Sequence, residues 1–277
     1  MGKMLKETLE TIEKYKNKSP HYEEFFKILE EILILRENYR QDFKEDIFQV
    51  NESHIMQKLS GGLPLVDFSR NNFDLSKPKK YFFNLLEIAK KRSPGETEKI
   101  IQDLEDGPLD YETLVYDSFI HQTDKEASGG DDEKLFDLLD LFVEESLRPA
   151  LEILADKYRN AIKESQWSEG YCPVCGKEPK IGELKEEEGF RYLFCNQCGL
   201  EWNYRRVKCP FCGNEDQQTL AYFTVENEEK YRVDVCNKCK RYIKIVDFRK
   251  TREKANLDVE DIATLHLDVL ANEEGYE

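Results

Sequence analysis

Outside one stretch of 68 residues, this 277-residue chain has no cysteine at all. It also lacks any apolar run approaching a membrane span: the most hydrophobic part of its first half, Ile28–Leu35, is interrupted by Glu30 and Glu31. The opening residues, Met-Gly-Lys-Met-Leu-Lys-Glu, have neither the apolar core nor the small-residue cleavage site of a secretion signal. The expected location is therefore the cytoplasm, where thiols stay reduced. The four histidines (His21, His54, His121 and His266) are scattered and match no metal-ligand or general-base spacing. There is no glycine-rich phosphate loop, nucleophile elbow or P-loop, and the chain is not expected to be an enzyme. Basic charge is short as well: 41 Lys and Arg face 57 Asp and Glu, for a net −16. The deficit is uneven, with −11 in residues 1–167, +1 in 168–250 and −6 in 251–277. Such a field repels phosphate backbones, so nucleic acid is not an expected partner.

Hydrophobic residues make up 39% of the chain and charged residues 35%, a balance too rich in Leu, Ile, Phe and Tyr for disorder. Residues 1–167 carry the period of amphipathic helices. Leu5, Leu9 and Ile12 mark a first helix. Ser19 and Pro20 open a second, striped by Phe25, Phe26, Leu29, Ile32 and Leu33. A short helix over Ser53–Leu59 stops at Gly61-Gly62, and the apolar but irregular Leu63–Val66 follows, tucked against the bundle. Further helices are predicted after Ser76, over Pro94–Leu104 and over Tyr111–Gln122, then a mobile loop at Asp124–Asp132. A long helical pattern covers Glu133–Glu164, with a kink or break expected after Arg148 because Pro149 cannot donate. Beyond Trp167 the helical period disappears and short strands are predicted at Phe190–Phe194, Leu220–Val225, Tyr231–Val235 and Tyr242–Val246. One closing helix is expected from Asp258 to Glu274, with Gly275 as its stop.

The eight cysteines form four CxxC pairs: Cys172/Cys175, Cys195/Cys198, Cys209/Cys212 and Cys236/Cys239. The wording repeats, CPVCG then FCNQC, and CPFCG then VCNKC, so one module is duplicated. Two cysteines separated by two residues wrap a tight turn around an ion, and two such turns facing each other across a hairpin complete a tetrahedron of thiolates. The spacing predicts two sites, Cys172, Cys175, Cys195, Cys198 and Cys209, Cys212, Cys236, Cys239; an interleaved pairing of the first turn with the third is the alternative. Closed four-sulfur coordination suits zinc or a rubredoxin-type iron, would also admit an iron–sulfur cluster, and leaves no open position for activating water. Glycine follows three of the pairs, where a positive φ is required, whereas Lys240 follows the fourth, which predicts a less regular turn there. The fold class expected is α+β. A helical domain (1–167) leads into two tandem rubredoxin-like or zinc-ribbon modules (168–207 and 208–250), and a C-terminal helix (251–277) closes the chain.

The combination of Trp167, CPVCG (172–176), RYLFCNQCGLEWNYRRVKCPFCGN (191–214), RVDVCNKCKRYIKIVD (232–247) and DVEDIATLHLDVLANEEGY (258–276) resembles the formate dehydrogenase accessory protein family, FdhE. Upstream, GGLPL (61–65) and LRPALEILADKY (147–158) look like that family's helical part. The resemblance implies rubredoxin-like cysteine modules that hold iron and are not a catalytic centre. It also implies a cytoplasmic role in assembly or maturation of the catalytic subunit of formate dehydrogenase, which would be the partner. Glu201, Trp202 and Arg205 are candidates for the partner-binding surface, though they could equally support and pack the ribbons. Two other functions compete: a rubredoxin-like electron carrier, and a zinc-ribbon factor for nucleic acid, which would need a basic stripe that the acidic chain does not favour.

Overall fold

Periodic apolar residues in the first 165 positions have one way to leave water, which is to face one another across packed helices. The computed structural model describes residues 3–43, 47–68, 73–120, 133–251 and 253–277. The expected loop at Asp124–Asp132, and His121, lie outside them. The helices are α1 (Lys3–Lys18), α2 (Glu23–Asp42), α3 (Ile55–Ser60), α4 (Ser76–Lys90), α5 (Pro94–Glu105), α6 (Tyr111–Ile120) and α7 (Glu133–Glu164). Helix α7 is the spine, touching α2, α3, α4 and α6. It continues through Pro149, so of the expected kink or break the helix shows no break. Buried Leu147, Leu151 and Leu154 pack the turns on both sides of the proline into the core, which offsets the missing hydrogen bond.

Two further expectations about helix starts are corrected. Ser19 makes no side-chain cap, and Pro20 opens a short 3-10 turn before α2. At α4 the capping oxygen belongs to Asp74, which accepts from the backbone N–H of Ser76 at 3.0 Å, rather than to Ser76 itself.

The bundle also buries charge, which no periodicity announces. Arg36 of α2 clasps Glu145 of α7 with two bonds of 2.7 Å, and Tyr81 of α4 donates to the same carboxylate at 2.9 Å. Arg148, one turn on, bonds Glu152 at 3.0 Å and both oxygens of Asp258 at 2.7 Å. Burial opposes the charge on Arg36, but Glu145 and Glu152 outweigh it and hold the guanidinium firmly protonated.

The cysteine region folds as six strands: β1 (Ile181–Lys185), β2 (Phe190–Phe194), β3 (Glu201–Tyr204), β4 (Leu220–Phe223), β5 (Tyr231–Cys236) and β6 (Arg241–Val246). The short β1 and β3 join the four predicted from sequence. Each module is an antiparallel three-stranded ribbon, and the two merge into one sheet of order β3-β2-β1-β6-β5-β4. The joint is parallel, with Ile181 opposite Lys244 and Gly182 opposite Ile245. Glu186, Glu187 and Glu188 form the exposed tip of the β1–β2 hairpin.

Alternation along the strands gives each face its own neighbour. Leu184, Leu193, Trp202, Tyr204, Ile243 and Ile245 join the core of the helical bundle. Ile181, Phe194, Tyr231, Val233, Val235 and Val246 face the other way, onto the C-terminal segment. That segment is two helices rather than the one expected, α8 (Leu257–Ala263) and α9 (Leu265–Glu273), divided at Thr264. The division lets α8 reach α1 and α2 while α9 lies on β6. Asn256 caps α8, and Gly275 ends the chain's last helix at φ 81° as expected. Tyr15 of α1 and Tyr231 of β5 both donate to Glu260 of α8 at 2.7 Å, and burial raises that carboxyl above the usual carboxylate range.

Replacing Arg36 by Met strands the buried Glu145 carboxylate. The variant should lose about 3–5 kcal/mol of unfolding free energy in a denaturant titration. A loss below 1 kcal/mol would mean that this pair is solvated.

Candidate metal centres

Every cysteine pair uses the same backbone device. The residue after the second cysteine donates its N–H to the carbonyl of the first: Gly176 to Cys172 (2.9 Å), Gly199 to Cys195 (2.8 Å), Gly213 to Cys209 (3.1 Å) and Lys240 to Cys236 (2.8 Å). All four donors sit at positive φ: 77°, 67°, 68° and 59°. The fourth turn is therefore as regular as the others. Lys240 adopts a conformation that favours glycine, and the turn rather than the residue type decides the geometry.

The turns bring together the two sets predicted by sequential pairing and not the interleaved ones. Cys172, Cys175, Cys195 and Cys198 form one cluster, and Cys209, Cys212, Cys236 and Cys239 the other, with all four sulfurs of each within 4.8 Å of one another. Facing sulfurs stand 3.4 and 3.5 Å apart in the first cluster and 3.7 Å apart in two pairs of the second. A tetrahedron with metal–sulfur bonds of about 2.3 Å has edges of about 3.8 Å, so both clusters match the chemistry of a four-thiolate site. The sulfurs are free thiols with no disulfide among them.

Proton affinities tell the same story. Burial pushes the Cys175 and Cys198 thiols well above the ordinary thiol range. Burial acts on Cys195 too, but hydrogen bonds from Cys172, Cys175 and Cys198 draw it well below. In the second cluster burial raises Cys209, whereas backbone N–H groups of Cys239 and Lys238 overcome burial at Cys236 and bring it down to about 7. Cys195 is thus favoured as a thiolate over Cys175 and Cys198, and Cys236 over Cys209, and a divalent or trivalent cation in the middle would remove that conflict.

The surroundings of the two clusters differ. The first is sealed, with all four cysteines buried. Leu65 and Val66 donate their backbone N–H groups to the carbonyls of Pro173 and Val174, at 2.8 and 2.9 Å, so Leu63–Val66 lies along the first cysteine turn. The Tyr171 hydroxyl donates to the Gly62 carbonyl at 2.6 Å. Helices α6 and α7 close another side: Lys177 Nζ bonds Glu144 of α7 at 2.7 Å and the Ser118 carbonyl of α6 at 2.7 Å, and Gln197 donates to the Glu144 carbonyl at 2.5 Å. Among the described residues the second cluster has no such cover. Cys212 is exposed and Cys239 half-exposed. Asn214 Nδ2 approaches Cys236 Sγ at 3.7 Å, and the Arg241 guanidinium stacks 3.8 Å from the Phe211 ring centre. Gly170, just before the first cysteine turn, lies against Pro210 of the third, where a Cβ would stand 1.8 Å from the Pro210 carbonyl oxygen.

Of the three residues considered for partner binding, Trp202 is corrected as a surface candidate. It is buried, and its indole N–H donates to the Glu169 carbonyl at 3.1 Å, because strand alternation turns it toward the bundle core. Glu201 is half-buried against Lys185. Arg205 is exposed and pairs with Glu215 at 2.8 Å. The closure of the first cluster by Leu63–Val66 and by Lys177 was not foreseen, and the irregular GGLPL segment was its one sequence signal.

Comparison with known proteins agrees with this architecture. The family model "FdhE, central domain" matches residues 171–206, and "FdhE, C-terminal domain" matches 207–277. A protein FdhE homolog of Aquifex aeolicus is 30% identical over 264 residues, covering 94% of this chain and 88% of its own. Protein FdhE of Salmonella arizonae is 37% identical over 109 residues, 38% of this chain and 34% of the relative's length. The crystal structure of FdhE from Pseudomonas aeruginosa superimposes with a TM-score of 0.71 at 20% identity, over 97% of this chain and 90% of that one, and so has the same fold. With two four-cysteine modules on a shared sheet and a relative matched along nearly its whole length, the chain belongs to the FdhE family.

Proposed function

We propose that this protein is an accessory factor for assembly or maturation of formate dehydrogenase, binding the catalytic subunit in the cytoplasm without turning over a substrate. The observation that carries the reading is the pair of closed four-sulfur clusters within an FdhE-family chain. Each cluster holds one zinc or iron ion through four protein ligands, Cys172, Cys175, Cys195 and Cys198 in one and Cys209, Cys212, Cys236 and Cys239 in the other. That arrangement suits stabilising a binding surface and leaves no coordination position for a substrate. Among the described residues, no helix is long and apolar enough to cross a membrane. A maturation factor must release its client, and an interface of moderate size serves that purpose. Glu201 and Arg205 remain candidates for it. Deleting the gene, in cells with no second copy, should reduce formate oxidation and the abundance of assembled catalytic subunit. Unchanged activity contradicts the reading.

A rubredoxin-like electron carrier is the second reading, favoured by the exposure of Cys212, which brings a metal–thiolate edge to solvent. It requires iron and a reversible one-electron couple in purified protein; zinc in both clusters removes it.

Unequal cover predicts unequal lability. A metal-sensitive chelator should extract one equivalent per chain quickly and the second at least about tenfold more slowly, as expected when surrounding hydrogen bonds hold the ligands in place. Cys212→Ser should abolish the fast phase and leave the slow one. A single phase for both metals contradicts the assignment of the first cluster as sealed.

A further inference from the structure

The two ribbons correspond strand for strand, β4 to β1, β5 to β2 and β6 to β3. In the first ribbon, the outer edge of β1 is occupied: it takes β6 as a parallel neighbour. Among the described residues, the corresponding edge of the second ribbon, that of β4, ends the sheet. The fold therefore contains an example of what such an edge accepts, an extended strand running parallel to it.

The backbone of β4 is set up for this. Asn237 donates to the Thr219 carbonyl at 2.8 Å, which fixes Thr219 as turned toward β5. The register continues through Leu220 opposite Cys236 and Tyr222 opposite Asp234. In an antiparallel ladder the direction alternates, so Leu220 and Tyr222 point their N–H and C=O groups outward. Exposed edges are usually guarded by charge, proline or a bulge. Beyond its shortness, Leu-Ala-Tyr-Phe has neither charge nor proline, and Tyr222 is 63% exposed.

Beside this edge the bundle does not cover the sheet, and a groove of about 200 Å³ remains. Arg191, Arg206, Lys208, Arg232 and Arg241 line it, against Asp234 as its one carboxylate. Arg191 is buried, and its Nε has no acceptor. The groove ends at Cys209 and Cys236. With the partners of these cations counted, Glu178 on Arg241 at 2.7 Å and Glu215 shared by Lys208 at 3.6 Å and Arg205 at 2.8 Å, six cations face three carboxylates; a zinc tetrathiolate would add two negative charges and leave a small positive surplus. This is a positive groove in a chain of net −16, so a second copy is repelled overall while an acidic segment is attracted locally.

We propose that the free edge of β4 and the adjoining groove take up an extended acidic segment of the client as a seventh strand, parallel to β4, with Asp or Glu side chains at alternate positions facing the groove arginines. The proposal rests on the client-binding reading above and supplies its surface. Main-chain bonds to Leu220 and Tyr222 give affinity, and the cations select the charge of the segment.

The probe is a blocked, fluorescent octapeptide of alternating Val and Glu, titrated with the full-length metal-loaded protein, with a Val–Lys octapeptide as control. Saturable binding of the acidic peptide is expected, weakened at least about tenfold by Tyr222→Pro, which removes an outward N–H and leaves the β4–β5 bonds in place. Arg232→Gln should weaken it as well. Asn203→Pro, at an outward position of the opposite edge strand β3, should leave it unchanged. Circular dichroism and two metals per chain confirm that each variant is folded. No saturable binding, equal binding of the Val–Lys peptide, or full binding by Tyr222→Pro overturns the proposal. So does self-association of the protein lost in both proline variants, which would give the edge to a second copy. Purified formate dehydrogenase catalytic subunit should displace the peptide. If the peptide binds as described and the subunit does not bind at all, the client reading fails while the edge stands.

Discussion

Four sulfur atoms gathered within 3.4–3.7 Å of their partners confront the chain with an electrostatic problem before any question of function arises. Left as thiols they compete for protons, as the opposed shifts of Cys175 and Cys195 display; ionised together they repel strongly in a setting with little water. A central cation would resolve the conflict, and the same cation would tie the turns that precede and follow each hairpin. Without that tie, strands of four to six residues have little to hold their register. The sheet packs on the bundle through one face and on α8 and α9 through the other, so such closure would steady both contacts.

One turn, used four times, meets two environments. Around the first cluster the chain invests the Leu63–Val66 segment, Lys177 and Gln197, all bonded between bundle and cysteine turns. Around the second it invests almost nothing from the bundle, and Cys212 faces solvent. Duplication supplied equal modules, and the helical domain made them unequal by covering only one. The parallel joint of β1 and β6 has a related consequence: a repeat joined by translation rather than by a closing symmetry leaves one edge of each kind unpaired, at β3 and at β4.

The cysteine spacing made the ligand sets legible, because adjacent pairs separated by one hairpin need no long-range information. Helix positions were legible from apolar period, and the cysteine region from the loss of that period after Trp167. What escaped was decided by distant partners. Nothing in the apolar period singles out Arg36, whose partner Glu145 lies 109 residues away. Trp202 reads as an exposed aromatic until the pleat turns it inward onto the Glu169 carbonyl. Pro149 reads as a breaker until the neighbouring turns are packed. Lys240 reads as an irregularity although its backbone does what its glycine counterparts do, since a local preference of about 1 kcal/mol yields to a turn held by other forces.

The central claim is that both cysteine clusters are four-sulfur metal centres. X-ray absorption at the metal K-edge of protein purified without chelators addresses it directly, combined with elemental analysis of the same sample. The account expects two metal ions per chain, each with four sulfur neighbours at about 2.3 Å and no nitrogen or oxygen in the first coordination shell. Nitrogen or oxygen neighbours at either site, or a folded protein without metal whose eight cysteines remain free thiols, would contradict it.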